Sequence, residues 1–181
     1  MKTLVTDRLV LRAWKETDEE DLYEYSRSKT VGPMAGWRPH ETLEDSRKII
    51  TMFMEEDETW AVCDKKSGKV IGSVGIHRDM KRSIDKGKVR MLGYALSEEY
   101  WGRGIVPEAC LAVMRFAFDE LHLEIMSVYH FPFNEQSKRV IEKLGFKYEG
   151  TFRMATMIFD GTIYDDVCYS ITKDEFLERK E

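Results

Sequence analysis

Cysteine is scarce. Cys63, Cys110 and Cys168 are odd in number, far apart and without a C-x-x-C spacing. That excludes a disulfide framework and the common zinc-site patterns, and it leaves three small buried apolar residues in a reducing compartment. Long apolar runs are missing too. The opening Met1-Lys2-Thr3-Leu4-Val5-Thr6-Asp7-Arg8 meets charge too early for a signal-peptide core, and no later run approaches the roughly 20 residues of a membrane span. The expectation is a soluble, cytoplasmic protein without a membrane partner. Nor is there an excess of positive charge: 28 Lys and Arg against 33 Asp and Glu give a net charge of -5. A nucleic-acid surface spread over the molecule needs the opposite balance, so only a local basic patch remains open. Prolines number four, and no repeat, low-complexity tract or Pro/Gly/Ser linker interrupts the chain. At 181 residues and 43% hydrophobic, one globular domain over 1–181 is the expected organisation.

The elements read as follows. Arg8 to Trp14 alternates like a strand and leads to Thr17-Asp18-Glu19-Glu20, a capping-box pattern that opens a helix from about Asp18 to Ser26. Val31 to His40 holds two glycines and two prolines, which predict an irregular covering loop carrying Met34 and Trp37. Thr42 caps a second helix with Ile49, Ile50, Phe53 and Met54 at helical spacing. Thr59–Cys63 and Val70–Ile76 flank a polar turn as a hairpin, a charged connection runs from Arg78 to Lys88, and Val89–Leu96 is a third antiparallel strand. Ile105 to Leu121 is apolar around most of its circumference, which predicts a helix buried in the middle of the domain; Pro107 is tolerated in its first turn. Leu123–His130 is a strand, Asn134 caps a helix to Leu144, and Gly145 stops it. Strand, helix, strand implies a parallel pair, and Asp160-Gly161 marks a closing hairpin.

Between the third strand and the apolar helix lies Tyr100-Trp101-Gly102-Arg103-Gly104-Ile105-Val106-Pro107-Glu108-Ala109. Two glycines around a basic residue allow a tight turn with exposed N–H groups, and the following helix start adds the positive end of its dipole, a combination suited to phosphate. A purely structural strand-to-helix turn stands beside that reading. A P-loop phosphotransferase is disfavoured, because no Gly-Lys-Ser/Thr follows.

The chain resembles the GCN5-related N-acetyltransferase (GNAT) superfamily, in the branch of the ribosomal-protein N-terminal alanine and serine acetyltransferases. The resemblance is carried by Thr6–Arg12, Leu92-Gly93-Tyr94-Ala95-Leu96, Tyr100–Ala109, Asn134–Phe146 and the closing Asp160-Gly161 to Phe176. It implies an α/β (α+β) fold: a mixed, mostly antiparallel sheet of six to seven strands, with helices on both faces and one splayed parallel pair. It further implies acetyl-CoA as co-substrate, no metal, and transfer to a primary amine by direct attack in a ternary complex. The acceptor would be a protein N-terminus, such as that of a ribosomal protein, or a small molecule; a homodimer is an allowed assembly.

By the same resemblance, backbone groups of Tyr94, Ala95 and Leu96 hold the pantetheine arm between strands that splay around Leu96 and Ser127. Amides of Gly102, Arg103, Gly104, Ile105 and Val106 hold the pyrophosphate, with Asn134, Ser137 and Lys138 beside them. Glu108 is structural or substrate-facing. The Tyr that many relatives use as thiolate donor is Ile141 here, and a frequent Glu is Met91. Ser137 becomes the candidate for stabilising the thiolate, and His130, whose residue type titrates in the useful range, the candidate base, with His40 as a second option. Trp37, His40, Tyr129 and Asp166 are the candidate substrate contacts. A packing role stands beside each histidine, and a strand-edge role beside Asp165 and Asp166. Ile141 and Met91 also motivate a rival reading, a non-catalytic acyl-CoA-binding module.

Overall fold

The computed structural model describes residues 1–85 and 87–179; Lys86, within the charged connection, and the last two residues of the 1–181 span lie outside the described residues. Strand alternation in the sequence becomes one eight-stranded sheet. Its strands are β1 (Leu4–Val5), β2 (Leu9–Arg12), β3 (Thr59–Asp64), β4 (Val70–His77), β5 (Val89–Leu96), β6 (Ile125–His130), β7 (Lys147–Met157) and β8 (Ile163–Thr172), in the spatial order β1-β2-β3-β4-β5-β6-β8-β7. The sequence expectation of six to seven strands missed β1, whose two residues are too short for alternation to register. All neighbours are antiparallel except β5 and β6. That pair is joined through α4 (Ile105–Asp119), the crossover that parallel strands require.

Helices cover both faces. On one side α4 turns Ile105, Ala109, Cys110, Val113, Met114, Ala117 and Phe118 inward, onto Ile76, Leu92, Met126 and Val128 of the sheet. Each large side chain so buried contributes about 1.5–3 kcal/mol. The remaining apolar residues of α4, such as Val106, Leu111 and Phe116, are half-buried. The helix therefore packs by one face instead of lying in the middle of the molecule. α5 (Glu135–Lys143) sits on the same side. On the other, α1 (Glu19–Ser26) and α3 (Leu43–Glu56) pack Leu22, Tyr25 and Ile50 against Ala61, Cys63 and Val70. A last short helix, α6 (Lys173–Leu177), follows β8. Among the described residues no helix is long and apolar enough to cross a membrane.

Two local expectations change. Thr17 caps nothing: the Asp18 carboxylate takes the Lys15 N–H at 2.8 Å and both Arg12 guanidinium nitrogens at 2.7 and 2.8 Å, closing a 3-10 turn before α1 begins at Glu19. Thr42 does cap α3, reciprocally with Asp45. The loop expected over Val31–His40 opens with a helix, α2 (Val31–Ala35). Pro33 falls in its first turn, where no intrahelical N–H is needed, and Gly36 ends it in the left-handed region at φ 89°.

The charged connection after β4 is pinned down by its own charges. Asp79, buried, accepts from Arg82 and from the Ser127 hydroxyl, both at 2.7 Å, and Lys81 reaches Asp166 at 2.8 Å. Burial alone would raise the Asp79 pKa, but these partners outweigh it and hold the carboxyl below its usual range.

Candidate active site

Parallel pairing of β5 with β6 stops early. It joins Val89, Arg90 and Met91 to Ile125, Met126 and Ser127, after which the strands part and leave residues 92–96 facing a gap. Ladder bonding decides which backbone groups point into it. Ser97 N–H bonds Ile71 C=O on the β4 side, while Lys88 C=O accepts from Glu124 and Ile125 on the β6 side. Alternation along β5 then turns the polar groups of Tyr94 and Leu96 into the gap and those of Ala95 onto Ser73 of β4. Ala95 is thus removed from the backbone contacts expected for pantetheine; its side chain faces the α1/α3 side instead. Leu96 offers only its N–H, because its carbonyl accepts from the Trp101 indole at 2.9 Å.

A cleft of about 570 Å³ threads this gap through the sheet. It is lined by Tyr100, Trp101, Gly102, Gly104, Ile105 and Val106 of the glycine junction, by Asn134 and Ser137, and by Val31 and Met34 of α2. Gly102 and Gly104 have φ of 73° and 72°, so both positions favour glycine for conformation; space is open around Gly102, while Gly104 lies against the Arg8 guanidinium. α4 starts immediately afterwards at Ile105, which leaves first-turn N–H groups unbonded within the helix. The arrangement fits a pyrophosphate. Glu108 does not oppose it: its carboxylate takes the Thr6 hydroxyl at 2.5 Å, the Arg8 N–H at 3.0 Å and the Arg8 guanidinium at 2.6 Å. Arg8 also donates to the Arg103 carbonyl at 2.8 Å, lashing the turn to the N-terminal strands.

Asn134 caps α5 through the Ser137 N–H at 3.0 Å and donates to Met34 C=O at the same distance, so one residue ties α5 to α2. The Ser137 hydroxyl shares a 2.8 Å hydrogen bond with the Tyr94 phenol. Burial pushes that phenol's pKa well up, so it keeps its proton. Along α5 the cleft is lined by Gln136, Arg139, Val140 and Lys143, spaced i, i+3, i+4 and i+7. Lys138, the expected cofactor contact, is off that face. Sequence reading missed Arg139 and Lys143, although the helical spacing from Gln136 carries the signal.

His130 follows Met126 and Val128 at alternate positions and so lies on the α4/α5 face, 5% exposed. Its Nδ1 pairs with the Phe131 carbonyl at 2.8 Å, and its Nε2 is buried without a hydrogen-bond partner among the described residues. It lines the cleft from the side of Ser137, not from the side where α1 and α3 lie.

On that opposite side a second cavity, about 680 Å³, lies between α1, α3 and strands β4 and β5. Trp37, Phe53, Met52, Ile49 and Leu22 form apolar walls, and His40, Glu41, Asp45 and Lys48 supply polar groups. The two spaces share Ala35, Gly93, Tyr94 and Ala95. Trp37 and His40 lie together, ring centroids 5.6 Å apart. His40 Nδ1 is 2.8 Å from Ser46 Oγ, and burial lowers its pKa. Tyr129 reaches the cleft, its ring under the Lys81 ammonium at 4.3 Å.

Asp166 lines neither space. Fully buried, it is paired with Lys81 and accepts from Thr156 at 3.0 Å, so it is a structural anchor and not a lure for a cationic amine. Asp165 accepts the Met154 N–H. Cys110 is entirely buried, and burial pushes its thiol pKa far up.

The family model described as an acetyltransferase (GNAT) domain matches residues 8–147. The chain is 29% identical over 175 residues to the uncharacterized N-acetyltransferase YoaA of Bacillus subtilis, covering 94% of this chain and 96% of that one. Among solved structures, a GNAT-family acetyltransferase from Bacillus anthracis superposes with a TM-score of 0.85 at 22% identity, covering 96% and 99% of the two chains. The microcin C7 self-immunity acetyltransferase MccE, solved with acetyl-CoA and AMP, gives 0.77 at 20% identity, covering 92% and 93%.

Proposed function

This chain belongs to the GNAT acetyltransferase family, and we propose that it carries the acetyl group of acetyl-CoA directly onto the primary amine of a small molecule with an apolar or aromatic body. The observation behind this reading is the 680 Å³ cavity walled by Trp37, Phe53, Met52 and Ile49, which meets the through-sheet cleft along Gly93, Tyr94 and Ala95. A cavity of this size accommodates a drug-sized amine.

Acetyl-CoA supplies the acyl group already activated as a thioester. The residues of this chain do the rest. N–H groups at Gly102 to Val106 receive the pyrophosphate, with Arg139 and Lys143 adding positive charge along α5. Tyr94 N–H and C=O, with Leu96 N–H, bind the extended arm as an added strand would. Ser137, hydrogen-bonded to the protonated Tyr94 phenol, donates to the departing sulfur. The amine approaches from the opposite face of the sheet, so the two partners meet in a ternary complex. Cys110 is too deep and too basic to relay the acyl group.

Acetyl-CoA binding by calorimetry, followed by an acceptor screen that monitors free thiol, tests the reading. The expected result is turnover with aromatic and apolar primary amines and little with peptides bearing free N-termini. A reversed preference would assign the acceptor to a protein N-terminus; absence of cofactor binding would overturn the function itself.

A further inference from the structure

One feature of the acceptor cavity is built from three strands at once. Thr59, Gly75 and Gly93 are register partners across β3, β4 and β5, so they form one row on the α1/α3 face of the sheet. The row ends beside the gap, because Gly93 lies two residues past Met91, the last β5 residue paired with β6. His77 stands on this face two residues beyond Gly75, and its imidazole folds back over the row. A side-chain carbon at Gly75 would meet His77 Nε2 at 2.5 Å and Cε1 at 2.7 Å, and one at Gly93 would meet Nε2 and Cδ2 at 3.2 Å. Both glycines thus form a floor against which the ring rests; a side chain at Gly75 would displace it, and one at Gly93 would crowd it.

The same point above Gly75 is 2.8 Å from Thr59 Oγ1. Thr59 is 4% exposed, and its hydroxyl is buried with no hydrogen-bond partner among the described residues. A buried hydroxyl left bare is costly, and one beside a ring nitrogen in a cavity marks a place for a polar ligand. Both residues line the 680 Å³ cavity.

We infer that His77 is the proton acceptor for the attacking amine and that Thr59 holds that amine over the glycine row, an assignment that rests on the acetyl-transfer reading above. The step balances. The amine nitrogen forms its bond to the acetyl carbon and gives one proton to His77 Nε2. The carbon–sulfur bond breaks with its electron pair on sulfur, which takes a proton from the Ser137–Tyr94 pair; that pair is refilled from water, and the His77 proton leaves to solvent. His130 lies on the other face of the sheet and takes no part in deprotonating the amine.

Charged neighbours tune the ring. Burial lowers the His77 pKa, the carboxylates of Glu58 and Glu56 raise it, and Arg90, paired with Glu58 at 2.8 Å, lowers it; the net shift is downward. From α3 and the segment before it, Asp45, Lys48, His40, Glu41 and Arg38 face the same cavity. A neutral imidazole at neutral pH is the form that accepts a proton.

The test uses the full chain with benzylamine as first probe, or the best amine or peptide from the acceptor screen, in His77→Gln, His77→Ala, Thr59→Val and His130→Gln variants. Acetyl-CoA affinity by calorimetry is expected within about twofold of wild type for His77→Gln, which separates this inference from the cofactor reading and reports folding. The kcat of His77→Gln should fall about 100-fold, within the usual range for losing a general base, and the acid limb of the pH–rate profile should vanish. Thr59→Val should raise the amine KM about tenfold, the weight of one hydrogen bond to a charged or reacting group. Added imidazole should restore turnover to His77→Ala and leave His130→Gln unchanged. Turnover by His77→Gln within about threefold of wild type, with the acid limb retained, overturns the inference while leaving the acetyltransferase reading intact. A wild type that binds acetyl-CoA yet acetylates no amine overturns both.

Discussion

Glu108 places a carboxylate in the first turn of the helix that should receive a pyrophosphate, where it would repel its ligand if it were free. Burial raises its pKa, but hydrogen bonds from Thr6 and Arg8 and the Arg8 charge outweigh that and hold it below the usual carboxylate range. Its charge is thereby absorbed, and through Arg8 it also steadies the Arg103 carbonyl within the glycine turn. Glu108→Ala should cost about 1–2 kcal/mol, less than a buried ion pair because Arg8 is half-exposed. It should also raise the acetyl-CoA KM several-fold with kcat little changed, since it loosens the turn without touching the reacting atoms. Thermal melts and initial rates read the two effects; a KM equal to wild type would show that the turn holds without the Glu108–Arg8 pair. Trp101 acts nearby in a way its sequence position does not disclose. Only the fold reveals that its indole N–H donates to the Leu96 carbonyl, because that contact depends on how the chain re-enters after the 3-10 turn at Glu98–Tyr100.

At the scale of elements, α5 is both clamp and electrostatic wall. Asn134 joins it to α2, while Arg139 and Lys143 face the cleft one turn apart. Asn134→Ala should cost about 1 kcal/mol as a lost cap, and it should free α2, which forms the far wall of the cleft. Removing both charges, Arg139→Gln with Lys143→Gln, should weaken acetyl-CoA binding roughly tenfold at low salt, each exposed charge contributing up to about 1 kcal/mol. The deficit should shrink as salt is added, because these charges are screened. Calorimetry at two ionic strengths measures it, and a salt-independent deficit would mean the pair acts through packing. The cap at Asn134, the stop at Gly145 and the crossover were legible because each depends on a local backbone rule. That Arg139 and not Lys138 lines the cleft is not legible in the sequence, because which side of a helix faces a cleft is set by what the helix packs on. The sequence of α2 predicts a loop because Gly and Pro usually break helices; in a helix of five residues neither sits where it does harm.

Across the whole molecule the parallel pair and the glycine turn before α4 could be read from the sequence, whereas the cavity on the α1/α3 side could not. Thr59, Gly75, His77 and Gly93 are scattered over 35 positions of sequence and converge only when three strands fall into register. Packing α1 and α3 over that row also half-buries two histidines, and this makes a property of the entire fold testable. His40 and His77 both have pKa values lowered from 6.5, chiefly by burial, with Asp45 opposing at His40 and Glu58 and Glu56 opposing at His77. The unfolded chain therefore binds more protons than the folded one once pH drops toward 6.5, and stability rises with pH through that window. The contribution is complete above the unfolded value and is lost as pH falls below it. Carboxylates held low, such as Glu108 and Asp79, act in the same direction but only below their ordinary values of 4.5 and 3.8. Melting temperature should accordingly decline between about pH 8 and about pH 5.5, before the carboxylates contribute. The His40→Gln, His77→Gln double variant should flatten that decline while melting lower at the alkaline end, where two packed rings are lost. Thermal melts across the range decide it: an unchanged slope in the double variant would mean that the histidines stay accessible enough to titrate normally, and that the α1/α3 layer opens over the acceptor row in solution.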